Sequence, residues 1–176
     1  MQKKGAIWVA SVLYLAVGLV ALGLLLTAAL PAINKLKDRN TVAQTKQLFY
    51  TLDEYLRTVV VEGVASQREL NPLTINKGIF TINETNIHWQ LPTEALIIEP
   101  STPEEKIIKK EGNLELWEEK TPTVGNYLMH LDLHYETIGL YVNPDSAGMP
   151  LLGTYRLLFK NWGASEDRVI VNVSIQ

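Results

Sequence analysis

The sequence predicts an α+β protein: a long N-terminal transmembrane and amphipathic α-helix, then an antiparallel β-sandwich. Three observations predict it. Residues 6–34 carry no charged side chain. Apolar positions then recur at helical spacing to residue 61, with no strong breaker before Gly63. Beyond residue 72 the pattern changes to short alternating runs divided by turn residues.

The apolar block, residues 6–33, holds 14 Leu, Ile or Val residues by direct count. A span needs roughly 20 apolar residues to cross a hydrocarbon core about 30 Å thick. At roughly −0.3 to −0.6 kcal/mol each near the helix centre, these residues favour insertion by several kcal/mol. Trp8 and Tyr14 lie toward the N-terminal end, where amphipathic rings suit the headgroup layer. Lys3 and Lys4 precede the block, and Lys35, Lys37 and Arg39 follow it. Basic residues on both flanks bracket a span but do not orient it. A removed secretory signal is the competing reading, since Thr27-Ala28-Ala29 offers small residues for a signal peptidase. Its usual core of about 7–15 residues is much shorter than this block. A buried helix of a soluble protein is the third reading.

Within the block, Gly18 and Gly23 permit close helix approach, although their spacing is not that of a GxxxG face. Pro31 removes a backbone donor; it either kinks the helix or marks the membrane exit.

Residues 34–62 read as an amphipathic helical stalk. Leu36, Leu48, Leu52, Tyr55, Leu56 and Val59 form its stripe, widened by Phe49 and Val60. Lys46, Gln47, Asp53, Glu54 and Arg57 fall largely off it. A helix over residues 6–62 would reach about 85 Å at 1.5 Å per residue. The stripe is expected to hold the following domain; packing against neighbouring copies is the alternative.

Residues 63–72 read as a connector, broken by Gly63, Ser66 and Asn71-Pro72. In residues 73–176, runs 79–82 and 87–91 flank residues 83–86 as a hairpin. Residues 95–98 read as a short strand, and 106–110 with 114–118 as a second hairpin. In residues 127–136 Tyr127, Met129, Leu131, Leu133 and Tyr135 share one face. Leu128, His130, Asp132, His134 and Glu136 share the other, which is expected to meet water. Residues 138–142 are expected to pair beside this strand. Tyr155, Leu157 and Phe159, and then Val169, Val171, Val173 and Ile175, supply two more inward faces. Many short strands with frequent turns favour a sandwich or barrel, with an immunoglobulin-like arrangement as the first expectation.

A net charge of −3 gives no whole-chain basic character for nucleic acid. The chain has no cysteine, which removes disulfides, thiolate metal sites and cysteine nucleophiles. His130, Asp132 and His134 invite a metal reading, with His88 as a further ligand. Successive residues on one strand face stand roughly 6.6–7 Å apart, so the two histidines of that strand cannot share one ion. No metal or other cofactor is expected. Asp145-Ser146 lacks a nucleophile-elbow context, and Glu104-Glu105 and Glu118-Glu119 read as solvated charges. No enzyme activity is expected. Asn83-Glu84-Thr85 and Asn172-Val173-Ser174 are glycosylation sequons, with Asn83 at an expected hairpin tip.

Gln2-Lys3-Lys4-Gly5-Ala6-Ile7, followed at once by the apolar helix, resembles the class III signal of archaeal type IV pilin-like proteins and archaellins. The resemblance is specific over residues 2–62 and architectural beyond them. It implies that residues 1–5 are a leader, with Lys3, Lys4, Gly5 and Ala6 forming the site at which a prepilin peptidase cuts after Gly5. It implies a single-pass protein with its C-terminal domain extracellular, whose helix meets membrane lipid and then other copies in a filament for adhesion or motility. A non-polymerising anchored binding or accessory protein is the alternative. Many pilins carry Glu at the fifth mature position; here that position is Ala10.

Overall fold

Helix α1 (Lys3–Glu62) forms because its glycines and proline, Gly5, Gly18, Gly23 and Pro31, are isolated from one another among residues that tolerate a helix. It stops where expected. Gly63 adopts φ +93°, the left-handed conformation that closes a helix. The terminal carbonyl of Val59 accepts hydrogen bonds from Ser66 Oγ (2.6 Å) and Asn161 Nδ2 (3.1 Å). The computed structural model describes residues 3–101, 107–143, 147–165 and 167–176, without the side chains of residues 3–7 and 10. The chain divides into two compact units, Met1–Lys37 and Asp38–Gln176.

In the first unit every described side chain, at positions 8, 9 and 11–37, is exposed. Pro31 lies inside α1, so it does not end the helix.

The second unit combines the remainder of α1 with eight strands. They are β1 (Gln67–Ile82), β2 (Asn86–Thr93), β3 (Lys109–Glu111), β4 (Leu114–Lys120), β5 (Tyr127–His134), β6 (Ile138–Val142), β7 (Leu151–Ser165) and β8 (Arg168–Ile175). All eight are hydrogen-bonded into one sheet, in the order β3-β4-β5-β2-β1-β7-β8-β6. The expected arrangement was wholly antiparallel; the sheet is mixed, because β6 and β8 run parallel. The cause is topological. Strand β8 returns antiparallel to β7 and inserts between β7 and β6, so it runs in the direction of β6. Residues 138–142 therefore pair with β8 and not with β5, their neighbour in sequence.

The helix stripe supplies the centre of the core. Val42, Phe49, Leu52, Leu56 and Val59 are buried in one cluster with Leu73, Phe80, Trp89, Leu131, Leu157, Phe159 and Val171 from the sheet. Phe49, expected only to widen the stripe, is its fully buried midpoint, and its ring meets Phe80 edge-on at 5.8 Å. Leu36 is exposed.

The expected connector is shorter than residues 63–72, since β1 begins at Gln67. Pro72, which lacks an N–H, sits where the β1–β7 register shifts between Leu70 and Leu73, and the Asn71–Pro72 bond is cis. The first hairpin is as expected, with Ile82 opposite Ile87. In the second, Glu111 faces Leu114 across Gly112 and Asn113. Residues 95–98 are not a strand. Their backbone is held by a side chain instead: Glu118 Oε2 accepts from Ile97 N (3.1 Å) and Ile98 N (2.9 Å).

Candidate functional site

The first candidate is the helix surface of the first unit. Its most apolar 18-residue window has a mean hydropathy of 2.4 and is wholly exposed. A long apolar N-terminal helix of this kind is compatible with a membrane anchor. At Gly18 and Gly23 a Cβ would meet nothing within 4 Å, so both positions are open notches in that surface. Pro31 cannot donate to the Thr27 carbonyl one turn earlier, and Thr27 Oγ1 donates to the Leu24 carbonyl at 2.8 Å. Lys3, Lys4, Gly5 and Ala6 fall within α1, but their side chains, like that of Ala10, lie outside the described residues.

The second candidate is the outward face of β2, β4 and β5. His130 and Asp132 were expected to meet water; both are buried, at 7% and 9% exposure. Trp117 on β4 covers His130, with ring centroids 4.7 Å apart and planes 5° from parallel. The His88 ring lies 5.3 Å from that of His130. Asp132 Oδ1 accepts from Asn86 Nδ2 at 2.6 Å and contacts His88 Nδ1 at 3.2 Å. His88 Nε2 stands 3.3 Å from His130 Nδ1. A carboxylate oxygen accepts, so in the His88 tautomer that donates from Nδ1 to Asp132, Nε2 is the acceptor for His130. The result is a hydrogen-bonded row, Asp132–His88–His130. Its two contacts use opposite nitrogens of His88, so His130 and Asp132 do not face a common point. His134 is exposed at the end of β5. No group of three or more metal-ligating side chains converges among the described residues.

Glu118, read as a solvated charge, is fully buried. Burial pushes its carboxyl up from the usual range, against the pull of the Ile98 and Ile97 N–H groups. Alternation alone carried the signal, because Leu114, Leu116 and Glu118 share a strand face. Glu104, Glu105, Asp145 and Ser146 lie outside the described residues.

Polar groups off the helix stripe also face the sheet. Asp53 Oδ1 accepts from Tyr135 Oη and Asn113 Nδ2, both at 2.9 Å. Burial, then the Asp53 charge, holds the Tyr135 phenol above its ordinary range. Glu111 accepts from Tyr50 Oη and pairs with Lys46. Hydrogen bonds from Lys46 and then Tyr50 bring the Glu111 carboxyl down to about 2.

Asn83 occupies the β1–β2 turn but is half-buried, and its Nδ2 donates to Asn86 Oδ1 at 3.1 Å. A sugar on Asn83 is expected as added mass on its peptide from native protein; an unmodified peptide contradicts that expectation. Asn172 lies on β8 between β6 and β7, and its Oδ1 accepts from Ser174 Oγ at 3.0 Å.

No family model, curated protein or solved structure matches this chain. The functional reading rests on its own residues.

Proposed function

We propose that this chain is a structural subunit of a type IV pilus-like or archaellum-like surface filament. The observation that carries the reading is the division of labour along α1. Residues 8, 9 and 11–36 expose a nearly continuous apolar surface, while Val42 to Val59 supply the core of the β domain. The first stretch suits lipid before assembly and neighbouring helices after it. Gly18 and Gly23 provide the places of close approach. The second stretch ties that helix to a domain facing water.

In this reading a prepilin peptidase acts on Lys3, Lys4, Gly5 and Ala6, and removal of residues 1–5 leaves Ala6 as the first residue. The helix anchors the chain in a single pass with the β domain outside the cell. The role is structural and not catalytic, and the partners are membrane lipid, the peptidase and further copies of this chain. For the β domain we retain a sandwich-type description: residues of β4 near one end of the sheet and of β6 at the other share one core.

Electron microscopy of sheared surface material, with an antibody against the β domain, tests assembly. Decorated filaments are expected. Label confined to membrane fragments as single particles contradicts assembly and favours the anchored accessory protein, the reading to which Ala10 lends weight.

A further inference from the structure

The outward face of β7, β8 and β6 carries an aromatic pair that the subunit role does not use. Trp162 and Tyr141 are 53% and 46% exposed although their rings touch, with centroids 4.9 Å apart and planes inclined by 36°. The pair is built by a bulge. Between Asn161 and Gly163 the β7 strand holds one residue more than β8, and that extra residue is Trp162. Asn161 fixes the bulge from within, donating to the Val59 carbonyl and accepting from Gly163 N at 2.8 Å. Gly163, at φ +103°, turns the chain where other residues would be strained.

Beside Tyr141 lies a shallow cavity of about 570 Å³, lined also by Glu84, Arg168 and Ile170. Its floor is low because Gly139 has no side chain; a Cβ there would stand 2.9 Å from Ile170 Cδ1. Asn172 lies between the two aromatic strands, opposite Tyr141 on one side and Lys160 on the other. Arg168 and Glu84 are exposed and form no ion pair among the described residues.

We propose that this face binds a saccharide displayed on another surface. A pyranose ring has an apolar C–H face that fits an aromatic ring and a rim of hydroxyls that need partners. Tyr141 and Trp162 supply the rings. Arg168 and the Asn172 amide donate to hydroxyl oxygens, and Glu84 accepts from hydroxyl protons. An acyl chain or apolar peptide would strip water from Lys160, Arg168, Glu84 and Asn172 and return no hydrogen bonds, which is unfavourable. Sugar hydroxyls return them.

The inference goes beyond the filament reading and concerns the β domain alone, so its failure leaves leader processing and assembly untouched. The test uses the detergent-solubilised full chain, made in a host without N-glycosylation. It is applied to an array of linear oligosaccharides of hexoses, N-acetylhexosamines and hexuronates, and the strongest hit is titrated calorimetrically. Saturable binding is expected, weakened about tenfold by Trp162→Ala or Tyr141→Ala, the scale of one lost stacking contact. Trp162→Phe is expected to keep most of the affinity. Arg168→Gln, which leaves both rings in place, is expected to weaken binding and serves if an alanine variant does not fold. Three results would overturn the proposal: no saturable binding on the array, unchanged affinity in the ring and Arg168 variants, or a sugar attached to Asn172 in protein from its native source. The last would make the rings a cover for the chain's own glycan.

Discussion

Phe49 and Leu52 sit at 0% exposure between the helix and the sheet, so shortening either leaves a cavity that the surrounding strands close only partly. Leu52→Ala is expected to lower stability by about 2–5 kcal/mol and Phe49→Ala by about 3–5 kcal/mol, measured by urea unfolding of the β domain signal. A change below about 1 kcal/mol in both would contradict this packing. Glu111 sets an acid limit. Its folded-state carboxyl is depressed to about 2, so the Lys46 and Tyr50 contacts stabilise fully above the ordinary range near 4.5. That stability drains away as pH falls from 4.5 toward 2. Glu111→Gln is expected to flatten this part of the stability–pH curve, and an unchanged curve would contradict the role given to the contact. These residues also show where sequence reading stops. Alternation correctly put His130 and Asp132 opposite Leu131 and Leu133. It could not show that Trp117, 13 positions before His130, would cover that face.

At the scale of elements, local signals were legible and distant pairings were not. Helix α1 ends where Gly63 announced, and both hairpins close on the turn residues that mark them. By contrast, the partner of β6 depends on β8 arriving about thirty residues later and inserting between β6 and β7, which no local pattern encodes. Residues 95–98 look like a strand but meet the Glu118 carboxylate in place of a neighbouring backbone. Gly78 joins two elements in a way that tests the sheet. It adopts φ +82°, and a Cβ there would lie 2.5 Å from both the Gln90 carbonyl and Trp89 Nε1. That close approach lets the indole of the buried Trp89 donate to the Lys77 carbonyl at 2.9 Å. Gly78→Ala is expected to cost at least roughly 1–3 kcal/mol from backbone strain, with a shifted Trp emission maximum. Wild-type stability and emission would contradict the packing.

For the molecule as a whole, one helix is assigned two solvents. Its first unit presents apolar side chains that water does not favour, and its second unit threads the same helix into a β core. This division was readable from the sequence because residues 6–33 are almost uniformly apolar, while residues 34–62 confine their apolar side chains to a stripe and carry charges off it. How the strands join was not legible, since alternation along a strand says which side chains share a face and not which strand lies beside it. We propose that the helix enters the membrane as a processed pilin-like segment. N-terminal mass spectrometry of the protein extracted from native membranes tests it most directly. A chain beginning at Ala6 is expected; an intact Met1, or a start near Leu30, would contradict processing at Gly5.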